Sequence, residues 1–308
     1  MTRPTDKAAS SSQRADNGFI LVTVLWLIAA LAALASIYSV YAVNSAVASR
    51  LPDDRLQAEA AIRAGVELAA YQAISALAAA RPAHGAFVTK LAGETISVRY
   101  RSEAARIDLN AAPKELLAGL FGALGVDAAV ASGYVDHILA WRKTREPNAT
   151  DDAEAAAYKQ AGLAYGPREA PFNDALELAL VLGAPPAVVE RSLPFVTVYS
   201  GQPTVDALDA EPQTLSALPG MTPELLQGAL RARARDPEDG QGLLKLLGAA
   251  AKQATVDSGK ALRASILVEL HGGRRIRAEV VFRLADKGET PFDVLYWRDD
   301  FDGPLQQG

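Results

Sequence analysis

GFILVTVLWLIAALAALASIYSVYAVNSAVAS (18–49) decides the fold of this chain. No charged side chain occurs between Asp16 and Arg50. A helix needs about 20 apolar residues to cross a bilayer, and Phe19 to Val43 supplies them. A buried helix of a soluble protein would rarely run this far without a charge. The preceding stretch, MTRPTDKAASSSQRADN (1–17), is polar and carries Arg3, Lys7 and Arg14. Basic residues before an apolar helix favour a cytoplasmic N-terminus, so everything from about Arg50 onward is expected on the far side of the membrane.

An ordinary secretory signal peptide would have a shorter apolar run followed by a small-residue cleavage site. Here the informative junction lies before the run, where Gly18-Phe19 joins the polar leader directly to the apolar segment. This arrangement resembles the prepilin signal, which a membrane peptidase cuts on the cytoplasmic side after glycine. The resemblance implies that residues 1–18 are a leader and that Phe19 becomes the N-methylated first residue. It also implies that the membrane helix, 19–43, survives cleavage. The fifth mature residue is then Thr23, where most pilins and pseudopilins have Glu. The K-type minor pseudopilin of type II secretion systems is similar to this chain in lacking that acid.

The remainder fits the same plan. Pro52, followed by Asp53 and Asp54, suggests a kink or a restart with acids at a helix N-terminus. Ile62, Val66, Ala69, Ala73 and Leu77 recur at helical spacing, which extends the helix to about residue 80. Thr95, Ser97 and Arg99 alternate with Ile96, Val98 and Tyr100, the period of a half-buried strand. Ala105 to Leu109 suggests another. SILVEL (265–270), a His271-Gly272-Gly273 turn and RRIRAEVVFRL (274–284) read as a hairpin, and DVLYWR (293–298) as one more strand. The expected fold is therefore α+β. A long N-terminal helix is joined to an antiparallel sheet from 84–109 and 256–308, with a helical region at 110–255 set into it.

That helical region contains an internal echo. IDLNAAPKELLAGLFG (107–122) resembles VDALDAEPQTLSALPG (205–220), pairing Asp108 with Asp206, Ala112 with Ala210, Leu117 with Leu215, Leu120 with Leu218 and Gly122 with Gly220. Each copy reads as a strand end, a turn and a short helix, with Asn110 and Asp209 as N-cap candidates. The I-D-L-N-x-A-P-x-x-L string resembles the opening of the helical insert in K-type pseudopilins. PFNDALELALVLGAP (171–185) resembles that family's later P-F-x-x-x-x-E-L stretch. With leader and sheet, the likeness covers most of the chain.

Composition excludes several classes. The chain has 308 residues, no cysteine and a net charge of −5, which removes thiolate chemistry and argues against a dedicated nucleic-acid binder. No HExxH, Walker, GxGxxG or GxSxG string occurs. His84, His137 and His271 are far apart in sequence and read as surface or packing residues, and Asp299-Asp300 as solvated charge. No enzyme activity and no cofactor are expected. N-x-A-P (110–113) and L-P-G-M-T (218–222) also resemble helix-hairpin-helix modules that present N–H groups and cations to phosphates. Lys114, Arg231, Arg233 and Arg235 would supply the charge. A DNA-binding pilin-like protein of an uptake system is the alternative reading. Relatives of the K type bind Ca²⁺ in the insert through clustered acids after a Trp-bearing helix. Here Arg142, Lys143 and Arg145 stand where those acids are expected. Asp151, Asp152 and Glu154 remain as candidate ligands, though they also suit a helix start.

The resemblance implies a single-pass inner-membrane protein with a periplasmic domain, placed at the tip of a short pseudopilus that exports folded proteins across the outer membrane. Implied partners are the I-, J- and H-type minor pseudopilins, the major pseudopilin and the prepilin peptidase, with no nucleic acid.

Overall fold

The structure, a computed structural model, describes residues 12–75, 82–145, 153–285 and 290–301. The chain divides into two units at Glu59/Ala60. Helix α1 (Ser12–Ser75) is one continuous element that runs through residue 52, where a kink or restart is expected. A single proline removes one bond of the i→i−4 ladder, and here the turns on either side carry the helix through.

In the first unit, Ile20–Ala42 has a mean hydropathy of 2.6 and no buried residue. It is the one helix among the described residues long and apolar enough to cross a membrane. In the second unit the final turns of α1 pack on a sheet. Ala61, Ile62, Val66, Ala69, Ala70 and Ala73 are all buried, at the i, i+4 and i+7 spacing of one helix face. Gly65 sets the approach. A Cβ there would lie 3.1 Å from Val98 Cγ2 and 3.3 Å from Ile96 Cγ2, so the helix backbone sits directly on the sheet's side chains.

The sheet is antiparallel with strand order β1-β2-β7-β8-β9. Its strands are β1 (His84–Leu91), β2 (Glu94–Ser102), β7 (Ala261–Glu269), β8 (Arg275–Leu284) and β9 (Phe292–Asp299). Ile96, Val98 and Tyr100 on β2, Ala264, Ile266 and Val268 on β7, and Ile276, Ala278 and Val280 on β8 alternate inward. The β1–β2 hairpin turns on Ala92 and Gly93, with φ of 53° and 92°, the mirror-image turn that matches strand twist. At His271-Gly272-Gly273 the expected turn forms, with the Gly273 N–H donating to Leu270 O at 2.8 Å.

Between β2 and β7 the chain leaves the sheet for a helical insert. Departure is set by Ser102, whose Oγ accepts from the Ala104 N–H at 2.9 Å and turns residues Glu103–Ala105 into a short 3-10 helix. Ala105 to Leu109 therefore adds no strand to the sheet. Ile107–Asp108 forms a two-residue strand, β3, inside the insert, paired in parallel with β4 (Val196–Thr197). Helices α2 (Lys114–Ala123), α3 (Ala128–Arg142), α4 (Ala153–Gln160) and α5 (Pro186–Ser192) lie between β3 and β4. A second such unit follows: β5 (Val205–Asp206), α6 (Pro212–Ser216), α7 (Pro223–Arg235), α8 (Gly240–Leu247) and β6 (Ala254–Thr255), with β5 and β6 again parallel. One apolar core unites them, including Leu116, Leu120, Phe121, Trp141, Leu215 and Leu247.

Candidate functional site: a duplicated turn and its seam with the sheet

The sequence echo is a structural repeat. In the first copy the Leu109 N–H donates to Thr197 O at 2.8 Å, and the Ala112 N–H to Asp108 O at 2.8 Å. In the second the Ala207 N–H donates to Thr255 O at 2.8 Å, and the Ala210 N–H to Asp206 O at 2.9 Å. An arginine from the second helix of each hairpin closes the turn. Arg142 donates to Leu109 O at 2.5 Å and Ala112 O at 2.9 Å; Arg233 donates to Ala207 O at 3.4 Å and Ala210 O at 2.6 Å. Burial lowers the pKa of both guanidinium groups. Each group satisfies two carbonyls of a turn that neither a helix nor a sheet would otherwise pair.

The two copies meet back to back. A Cβ on Gly119 would lie 2.0 Å from Ala217 O, so α2 and α6 are in backbone contact there. The turn aspartates do the capping expected of other residues. Asp108 Oδ1 accepts from the Asn110 and Ala111 N–H groups, and its Oδ2 from Ser200 Oγ and the Gly201 N–H. Asn110 is no N-cap: its side chain clasps Phe172, accepting from its N–H at 2.7 Å and donating to its carbonyl at 3.0 Å. Asp206 Oδ1 accepts from the Leu208 N–H at 3.0 Å, and burial pushes its carboxyl up to about 6. Asp209 also caps no helix. It pairs with His84 Nδ1 at 2.8 Å and Arg101 Nε at 3.3 Å, joining the second copy to the sheet, and burial raises its pKa despite the Arg101 charge beside it.

A second joint lies under the first copy. Glu103, 1% exposed, is held by Arg263 at 2.7 and 3.0 Å and by the Thr197 hydroxyl, and Arg263 also reaches Glu279. Burial alone would lower the Arg263 pKa; the hydrogen bonds and charge of Glu103 and Glu279 reverse this and hold it above its ordinary value. Burial pushes the nearby Tyr199 phenol up to about 12.

Gly18 and Phe19 lie within α1, and Thr23 is an exposed residue of its apolar stretch. Asp151 and Asp152 fall outside the described residues. Glu154, in the first turn of α4, bonds His137 Nδ1 at 2.7 Å. Among the described residues no group of three or more His, Cys, Asp or Glu side chains is placed to hold a metal ion. Of the cations available for phosphate contact, Lys114 pairs with Asp136 at 2.5 Å and Arg233 is turned into its own copy, while Arg231 and Arg235 are exposed. Arg142, which stands where an acidic ligand is expected, is the brace of the first turn, a role its sequence position does not announce.

Comparison with known proteins follows these boundaries. No curated protein matches the chain. A solved structure described as the GspK-GspI-GspJ complex of the type 2 secretion system of enterotoxigenic Escherichia coli contains a chain of like fold. The TM-score is 0.58 and the identity 17%, over 80% of this chain and 98% of that one. The family described as type II secretion system (T2SS), protein K, matches residues 95–201, which begin in β2, contain the whole first copy and end at Gly201, where the Asp108 carboxylate is held. Through this region, about a third of its length, the chain is similar to the type II secretion system protein K family.

Proposed function

We propose that this chain is the minor pseudopilin at the tip of the type II secretion pseudopilus, a structural component in the export of folded proteins with no active site of its own. The family match supports the pseudopilin role. The observation that carries the tip position is the insert running from Glu103 to Lys260, as large as a whole small domain and set between two neighbouring strands of the sheet. Repeated along a shaft, such a body would obstruct the regular packing of neighbours; at the end it has free space. Thr23 adds to this. In shaft subunits an acid at that position is taken to meet the amine of the next chain, and a carboxylate in hydrocarbon requires such a partner. A threonine suits the subunit with nothing above it.

In this reading residues 1–18 are removed by the prepilin peptidase, Phe19 is the mature terminus, and the Ile20–Ala42 stretch anchors the chain in the inner membrane with the second unit in the periplasm. Its partners are the I-, J- and H-type minor pseudopilins and the major subunit. The solved relative was crystallised as a complex of GspK with GspI and GspJ. In this reading calcium binding around Asp151, Asp152 and Glu154 is weak or absent. The deciding experiment is gold labelling of assembled filaments with sibling co-purification. One label per filament end, together with recovery of the I- and J-type siblings, is expected. Regular labelling along the shaft would refute the tip position.

A further inference from the structure

Below the insert, the open face of the sheet is crowded with arginine. Arg99 and Arg101 come from β2, Arg263 from β7 and Arg298 from β9, and Arg106 reaches in from the start of the insert. Cross-strand register sets Arg99 beside Ser265, Ser265 beside Glu279 and Glu279 beside Arg298. Four carboxylates close on two of these five arginines, while Arg277 of β8, Asp299 and Asp300 also line the face. Glu103 and Glu279 hold Arg263, while Asp209 and Glu211 hold Arg101.

Arg99, Arg106 and Arg298 are left with no side-chain hydrogen bond or ion pair among the described residues. The three share hollows in pairs. A hollow of 790 Å³ is lined by Arg99 and Arg298, one of 260 Å³ by Arg298 and Arg106, and one of 400 Å³ by Arg106 and Arg99. Arg106 is the informative member. It is half-buried, which lowers its pKa, and Glu103, Glu279 and Glu211 act on it through charge alone. A desolvated guanidinium with five unused donors is costly unless an acceptor arrives. Asp174 also lines the smallest hollow, but its Oδ1 already accepts from the Leu176 N–H at 2.7 Å. Near Arg298, Asp300 Oδ1 accepts from the Arg277 N–H.

We propose that Arg99, Arg106 and Arg298 form a docking site for an acidic segment of another protein, laid across the open face of the sheet at the foot of the insert. The occupant follows from charge complementarity: three separated, forked donors around adjoining shallow hollows suit several carboxylates on one chain better than one small anion. The assignment does not depend on where in a filament the subunit sits.

The test uses the full chain in detergent micelles and the fluorescent peptide acetyl-Gly-Asp-Glu-Asp-Glu-Gly-amide, followed by anisotropy at low and high salt. Saturable binding that weakens with salt is expected, and about tenfold weaker binding in R106Q and in R298Q. Arg99→Gln, at an exposed position, gives a third reading in which the fold is not at risk. Retained circular dichroism and melting temperature would show that the other two variants are folded. Absence of saturable binding, or equal affinity in all three folded variants, would overturn the site. If malonate competed as well per molecule as the peptide bound, the site would be one for small anions and the protein partner would be wrong.

Discussion

The two copies of the braced turn share a frame and differ in surroundings. Both close a parallel strand pair, both send an arginine from the second helix to two turn carbonyls, and both begin with a buried aspartate. In the first copy that aspartate accepts four hydrogen bonds, from Asn110, Ala111, Ser200 and Gly201. In the second, Asp206 accepts from Leu208, and burial, with the Asp209 charge nearby, raises its pKa to about 6. Backbone closure is thus the repeated property, whereas the electrostatic state of the leading acid is set by what each copy touches. The first copy is closed by its own chain at Ser200–Gly201, and the second is tied to the sheet through His84 and Arg101.

The largest effect that would break this pairing is at the contact between the copies. Gly119→Ala places a methyl 2.0 Å from the Ala217 carbonyl oxygen, and a backbone neighbour cannot swing away. A loss of about 3 kcal/mol or more is expected in chemical denaturation. The reciprocal change, Ala217→Gly, at the C-cap that follows α6, should cost only about 1 kcal/mol, through added freedom of the unfolded chain. Next come the braces. Arg142→Gln and Arg233→Gln each strand two turn carbonyls, and about 2 kcal/mol is expected from each. The Arg142 variant should be the more damaging, because both of its bonds are short while one of Arg233's is 3.4 Å. Equal and negligible losses would mean that the turns close without them.

The third difference is readable by pH. Asp206 has a folded pKa of about 6, above the value for an unfolded aspartate. Between about pH 4 and 6 the native state therefore binds more protons than the unfolded one, so stability falls as pH rises through that window. The span amounts to roughly 3 kcal/mol at most, by the free energy of a pKa unit. Asp206→Asn keeps an oxygen for the Leu208 N–H and should flatten this slope. A slope unchanged in the variant would assign the titration elsewhere. The smallest effect is expected at Lys114, which pairs with exposed Asp136 and has Pro212 as its counterpart in the second copy. Lys114→Ala should change stability by about 0.5 kcal/mol or less.

How far these features were legible in the sequence depended on the kind of contact. Uncharged length exposed the apolar stretch, and period-two alternation exposed β2, β7 and β8, because burial on one face leaves a mark at every second residue. Matching Asp, Ala, Leu and Gly positions exposed the two copies. The braces were hidden, since a guanidinium that serves backbone carbonyls needs no partner of any particular type. Sequence therefore offers nothing across the separation from Arg142 to Leu109. Two-residue strands such as β3 and β4 are too short to show a period. Gly119 did carry a signal, a glycine inside an apolar helix, which marks close approach more often than chance. The arginine face was hidden because its members come from β2, the insert and β9.

Where the insert leaves and re-enters has a kinetic consequence. Ser102 and Leu262 are register partners, so the chain departs and returns at adjoining points of the central strand pair. With the intervening chain unstructured, zipping β2 to β7 means closing a very long loop, and such closures are slow. With the two copies already folded, Ser102 is held to Ser258 and both strand ends arrive together. Folding of the helical body before β2 meets β7 therefore shortens the loop that the sheet has to close.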